Sequence, residues 1–564
     1  EGSAVSQIDG MVPQDGQTTR VVVIGGGPAG LTAAHELLLP RDGQGEDAPC
    51  QVTLLEASSE FGGISRTVRH GGNRMDIGGH RFFSKDERIM DWWRSVLPLQ
   101  GAPSYDDARL GRPSHLEEGG PDPATCDDVM LRRHRVSRIY WNHHFFDYPI
   151  SLKPATFRNM GFAQAMRVGL SYLGSCVHKL PEDSLESFYV NRFGRALYQM
   201  FFEGYTEKLW GRHPSQISAD WGAQRVKGVS VGALLKNAVG HLVHRGEGTS
   251  GSAEGDKKVE TSLIEEFWYP KYGPGQLWEK VARLDADAGC DIRLNSRVTG
   301  ITEEAGEVRS VTYIDEGGVS HELPCDVLVS SMPLKDLVRA FDAGASDAAG
   351  ASQPVPADVR EVSEGLPYRD FVTVGLLVDR LELPNRTAIP TLGDPPIVPD
   401  CWIYVQDSSV KVGRIQVFNN WSPYLVADVE DTVWVGLEYF CDEGDDFWEK
   451  SEADTVAQAI SELTQMGIIR GPECVRDTHR ERVRKAYPAY FDTYDRIDEL
   501  VGWLDSHPNL FCVGRNGQHR YNNMDHSMAT AFAAVEDIRA GITDRTNVWS
   551  VNTEESYQET KGAE

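Results

Sequence analysis

The sequence predicts an α/β chain in which a parallel sheet is joined to an inserted antiparallel sheet and a helical domain. Three observations carry this. The run Arg20–Ile24 (RVVVI) leads through glycines into a helical pattern (LTAAHELLL), a turn-rich break and a second run, QVTLLEA. That order is a strand–helix–strand unit. Strand-like segments recur late in the chain as FVTVGLLVD, CWIYVQ, GRIQVFNNW and TVWVGLEYF, which suits an antiparallel sheet. Near the end, NLFCVG and MATAFAAVEDIRAG return to strand, turn and helix.

In order, residues 1–18 read as a polar, flexible leader without an apolar signal core. The parallel-sheet domain takes 19–90, 263–340 and 505–541, with a polar, turn-rich excursion at 101–128. Residues 135–244 read as mainly helical, and the helical segment 157–180 suits either an interface or the core. Composition makes 245–262 a mobile loop, 343–358 a small-residue connection and 547–564 a frayed tail. The antiparallel sheet, read as a substrate domain, covers 359–504.

The 564 residues carry 56 Lys+Arg against 84 Asp+Glu, a formal charge of −28. That balance excludes nucleic acid as a partner, because phosphates demand a basic footprint. It also opposes general attraction to anionic membranes. It leaves room for an anionic small molecule held by a few local cations. Nine scattered cysteines without a CxxC pair argue against structural zinc and a disulfide framework, so cytoplasm is the expected compartment. No apolar stretch is long enough for membrane insertion. Oligomeric state is not readable.

The chemistry begins at GGGPAG, where Gly25 permits the turn, Gly27 lets a pyrophosphate approach, and Gly30 allows helix–strand packing beside Pro28 and Ala29. Phosphates then meet a helix N-terminus. Glu56, followed by Ala57, closes the second strand where a ribose diol would be accepted. NAD and FAD share this fingerprint. The following block EFGGISRTV, with Gly62, Gly63, Ile64, Ser65 and Arg66, resembles the second glycine motif of flavin-dependent amine oxidases and their relatives. DIRLNSRVTGI (with Val298) and CDVLVSSMP (with Ser331) resemble that superfamily's adenine-side strand and return strand. The resemblance implies a Rossmann-type domain holding FAD non-covalently, completed by the C-terminal strand–GR–helix unit with Gly514, Arg515, Met524, Asp525 and Ser527.

Further blocks resemble UDP-galactopyranose mutases: MDIGGHRFFS, RVSRIYWNHHFFDYPIS, FFEGYTEKLWGRHPSQISADW, GRIQVFNNWSPY and GRNGQHRYNNMDHSMATAF. They run in that family's order from about residue 20 to 541. The resemblance implies a reduced flavin whose N5 attacks the anomeric carbon of a nucleotide-linked sugar, interconverting pyranose and furanose without net redox change. His80, in the Gly78–Gly79–His80 turn, would then support the reduced flavin. Arg414 would clamp the diphosphate, and Tyr487 and Tyr521 would hydrogen-bond it. Trp210 and Asn420 match substrate-pocket positions, and Arg225 offers a further cation. An external reductant such as NAD(P)H would bind transiently, because the chain has one full dinucleotide fingerprint.

One position departs from the pattern. Glu203 stands where eukaryotic mutases place a second diphosphate arginine, and a carboxylate there would repel the substrate. This leaves an FAD-dependent oxidoreductase of amine oxidase or protoporphyrinogen oxidase type as the alternative, removing a hydride from an amine, alcohol or C–C bond. In that case Trp210, Trp268, Tyr269 and Tyr272 would line the cleft.

Overall fold

The computed structural model describes residues 18–40, 50–148, 150, 154–219, 266–347 and 354–551. Arg225, the 245–262 loop and the 1–17 part of the leader lie outside them. A five-stranded parallel sheet has the order Leu510–Cys512, Val327–Ser330, Thr19–Ile24, Cys50–Leu55, Asp291–Arg293. The opening strand is central, and its neighbours come from segments hundreds of residues away. Its apolar run is buried on both faces, as a strand between helical layers must be.

The Pro28–Leu38 helix follows, with Pro28 at its first turn, where a missing N–H costs nothing. Leu31, Ala33 and Leu37 of this helix pack against Met528, Ala531 and Val535 of the Met524–Ala540 helix, all nearly inaccessible to solvent. Each buried leucine there contributes about 1.5–3 kcal/mol. The late helix is therefore held against the first glycine turn.

The second sheet has seven strands, Val475–Pro488, Tyr368–Val378, Val433–Cys441, Arg414–Val417, Trp402–Val405, Ser137–Trp141 and His144–Asp147. It is antiparallel except where Trp402–Val405 runs parallel to Ser137–Trp141. The last two strands come from the stretch expected to be helical from residue 135. Helices begin instead at Pro154, because Ser137–Trp141 and His144–Asp147 form a hairpin at the sheet edge, with Ile139 and Phe146 buried on one face and Tyr140 on the other.

Two other expectations are corrected. The polar excursion at 101–128 contains the Tyr105–Leu110 helix and a buried ion network, in which Arg133 and Arg112 grip Asp106. Burial alone would raise the Asp106 pKa, yet the two guanidiniums hold it far below the usual carboxylate range. The tail does not fray at Asn547. Thr546–Ser550 is helical, Val548 and Trp549 are buried, and the Trp549 indole donates to Asp505 at 2.9 Å.

Candidate active site

Two glycine loops meet first. The amide of Gly62 donates to the Gly26 carbonyl at 2.8 Å, laying the Gly62–Gly63 turn beside the helix N-terminus. Gly25 and Gly62 both adopt φ +106°, and Gly63 adopts φ +56°, values that favour glycine. A Cβ on Gly27 would come no nearer than 3.7 Å to any protein atom, its closest neighbour being Gly63. The space over these amides is thus kept clear of side chains, as a pyrophosphate requires. Ile64 and Ser65 continue in a 3₁₀ turn. Arg66 bonds the Gly63 carbonyl at 3.2 Å and lies 3.4 Å from Glu60 and 3.7 Å from Glu481.

Glu56 sits at the end of its strand beside the exposed Ala57. One carboxylate oxygen accepts from the Gly26 amide at 2.6 Å, the other from the Ser58 amide and hydroxyl at 2.8 Å. A carboxylate has about four acceptor sites, so capacity remains for a diol. Ser331 and Gly514 close the other side. The Ser331 hydroxyl donates to the Ile24 carbonyl at 2.8 Å, and a Cβ on Gly514 would meet that of Ala29 at 2.7 Å. These features fit a dinucleotide cofactor.

Val298 is corrected in part. Its strand, Arg297–Glu304, belongs to a separate three-stranded antiparallel sheet, and its side chain is packed with Val22 and Ile24. The segment reaches the cradle through its backbone, Ser296 N–H donating to the Glu56 carbonyl at 2.8 Å.

At the helix Met524–Ala540, Asn523 is the N-cap residue. Met524 is buried in the core, Asp525 accepts from the Ser84 hydroxyl at 2.9 Å, and Ser527 donates to Asn522 at 3.2 Å.

The second half of the site lies on the seven-stranded sheet. Register sets Glu438 opposite Arg414, and Arg414 opposite Tyr404, in one row across three strands. Arg414 Nε is 2.7 Å from a Glu438 carboxylate oxygen, and its Nη2 donates to the Tyr487 hydroxyl at 2.5 Å. Glu438 is fully buried and also accepts from Gln416 at 2.9 Å. Burial works most strongly against the Arg414 cation, but Glu438 together with Tyr487, Tyr205 and Tyr521 outweighs it and keeps the pKa well above the ordinary value.

Tyr487 stacks on Tyr521 with centroids 5.7 Å apart, and the Arg515 guanidinium lies 5.2 and 4.5 Å from these two rings. Arg515 is held there by the carbonyls of Ala486 and Asn522. Trp210 is buried and meets Tyr521 edge-on at 6.1 Å, so it backs the tyrosine pair.

His80 joins this cluster through charge. Gly78 turns the chain at φ +82°, and a Cβ there would lie 3.6 Å from the His80 ring and 3.8 Å from Glu438. Gly79 packs under Trp421, whose ring a Cβ would meet at 3.1 Å. Burial first, then Arg515 and Arg414, lower the His80 pKa to about 3. The imidazole is therefore neutral at neutral pH. An unfolded chain would protonate it near pH 6.5, so its contribution to stability is present above that value and falls away as pH drops towards 3. The His80 ring resonances are expected to keep neutral-form shifts from pH 8 to about 5; a midpoint near 6.5 in an NMR titration would refute this.

Three sequence-based assignments fall outside the cluster. Asn420 spends its amide on the carbonyls of Val398 and Asp400, both at 2.8 Å. Glu203 is engaged by His213 at 3.2 Å. Tyr269 is core, donating to the buried Asp76, while Tyr272 stacks on Arg74, so the Trp268–Tyr269–Tyr272 lining does not assemble around Trp210. Residues the sequence reading missed are Glu438, Gln416, Tyr404 and Tyr205, whose ring meets Tyr404 at 5.6 Å. The signal for Glu438 was an acid inside the apolar run TVWVGLEYF.

The family model for flavin-containing amine oxidoreductases matches residues 28–538. Coproporphyrinogen III oxidases of Mycobacterium bovis and Mycobacterium tuberculosis are 43% identical over 60 residues, 11% of this chain and 12% of theirs. The match thus spans about an eighth of those relatives. A reduced UDP-galactopyranose mutase superposes with a TM-score of 0.69 at 19% identity, covering 94% of this chain and 97% of the other. A putrescine oxidase redesigned at its cofactor site gives 0.55 at 15% identity, covering 93% and 100%. At such identities these likenesses describe fold.

Proposed function

Because the chain belongs to the flavin-containing amine oxidoreductase family, we propose that it is an FAD enzyme acting as a mutase on a nucleotide-linked sugar. The observation that carries this is the meeting of Arg414, Tyr487 and Tyr521 beside Arg515. A diphosphate leaving group calls for converging cations and hydroxyl donors. Gly25, Gly27, Gly30, Glu56, Gly62 and Gly63 would hold the cofactor non-covalently. Reduced FAD bound there supplies a nucleophilic N5 for the anomeric carbon. Arg414 and Tyr487 fix the phosphates and stabilise the charge left on the departing nucleotide. Neutral His80 donates or accepts one hydrogen bond without adding charge. NAD(P)H serves as external reductant.

A second reading rests on Glu438. Its carboxylate cancels the Arg414 charge, which favours a neutral or cationic substrate and hydride removal. The test reduces the purified holoenzyme with dithionite and offers UDP-, GDP- and TDP-sugars. A furanose product with the flavin still reduced is the expected result. Inert sugars, together with anaerobic bleaching of the oxidised flavin by an amine or alcohol, would replace the mutase reading with the second.

A further inference from the structure

The helix Phe162–Val177 carries an apolar stripe with no partner among the described residues. Phe162 is 84% exposed, Leu170 64%, Leu173 62% and Val177 88%, with Met166 also exposed. Their spacings of four, four, three and four residues place them within an arc of about 80° at roughly 100° per residue. The helix is rooted on its opposite face. Val168 and Ser175 are buried there, and Ser171 accepts from the Ala196 amide at 3.0 Å. The exposed stripe is therefore the outer face of a docked helix.

Charge selects what covers it. From Tyr148 to Pro181 the sequence contains no Asp or Glu, though the chain as a whole has 84. The same window carries Lys153, Arg158, Arg167 and Lys179. Arg158 and Arg167 are exposed on the Pro154–Met160 and Phe162–Val177 helices, and Lys179, just past the second helix, donates to the Asn191 carbonyl. This local sign is opposite to that of the molecule. A second copy presenting the same face would bring like charges together. An anionic lipid surface offers both an apolar layer for the stripe and negative charge for its flanks.

We propose that the Phe162–Val177 helix docks in the plane of an anionic lipid bilayer surface, burying Phe162, Met166, Leu170, Leu173 and Val177 at the headgroup boundary. The contact is peripheral and does not span the membrane. It would place the lobe that carries Tyr205 and Trp210 close to the lipid.

The test uses full-length holoenzyme in flotation with vesicles of phosphatidylcholine containing about 30% phosphatidylglycerol, against pure phosphatidylcholine. Binding to the anionic vesicles is expected to be at least about tenfold tighter, and to weaken when salt shortens the screening length to about 4 Å. A Leu170→Ser/Leu173→Ser variant should lose that binding while keeping its flavin absorbance and melting temperature, since both side chains face outward. Absence of flotation with either vesicle overturns the proposal. So does binding that the double variant leaves intact. Sedimentation showing a dimer that the double variant dissociates would assign the face to a second copy instead.

Discussion

Arg414→Ala is expected to cost about 3–5 kcal/mol of folding stability and to slow turnover of an anionic substrate by roughly 10²–10³-fold. The first effect comes from Glu438. Its side chain is wholly inaccessible, and removing Arg414 leaves its buried carboxylate without a counter-charge, held by the Gln416 amide. Arg414 itself keeps 18% of its side-chain exposure, so water can enter and the loss should fall at the lower end of that range. The Arg414→Gln/Glu438→Gln double variant should regain most of the stability, because both charges leave together. Urea unfolding of the wild type, the singles and the double isolates the coupling. Glu438→Gln alone separates the two functional readings. With the counter-charge gone, Arg414 should hold a nucleoside diphosphate more tightly, read as a lower inhibition constant. A single variant Arg414→Ala that unfolds at the wild-type urea midpoint would show that the pair does not support the fold.

Gly30→Val is expected to yield protein without bound flavin. A Cβ at this position would lie 1.9 Å from the Gly25 carbonyl oxygen and 3.0 Å from its carbon. Both are backbone atoms of the turn itself, so no side-chain rotation relieves the clash. The helix must move off the opening strand, and the clear space above Gly27 moves with it. Overpacking of this kind costs about 1–3 kcal/mol. The larger effect is on the cradle, where displaced amides could no longer make the phosphate contacts proposed for them. The flavin-to-protein absorbance ratio after gel filtration measures it. Gly169→Ala is the control, since a Cβ there meets nothing within 4 Å and the residue lies in an exposed helix. It should retain flavin and gain up to about 1 kcal/mol. Full flavin content in Gly30→Val would contradict the packing argument.

The cofactor half of the site was legible because its constraints are local. Gly25, Gly27, Gly30 and Glu56 lie within one strand–helix–strand unit, and each glycine has a steric reason to be there. Arg414, Tyr487 and Tyr521 were legible through motif likeness, but their mutual contacts were not. They depend on how two distant strands lie in one sheet and on the segment before the Met524–Ala540 helix that brings Tyr521 to them, which periodicity does not encode. Glu438 stayed hidden for the same reason, since its role appears when its strand lies beside that of Arg414. Asn420 misled because an amide serves two backbone carbonyls as readily as a ligand. The hairpin at residues 137–147 was absorbed into a helical expectation because its two short strands gain their place from the edge of a sheet built mostly of much later residues.

The central position of the opening strand has a consequence for biosynthesis. Val21 to Ile24 align with Val327 to Ser330, and that strand in turn with Leu510 to Cys512. The helix that covers the first glycine turn ends at Ala540. At ribosomal rates of about 5–20 residues per second, on the order of a minute separates emergence of the first strand from that of the last. The earliest strand exposes an unpaired apolar edge until Val327–Ser330 emerges, and that later strand then exposes its own until Leu510–Cys512 arrives. The nascent chain therefore has reason to need a chaperone holding its first residues, and cofactor loading becomes an event that follows translation.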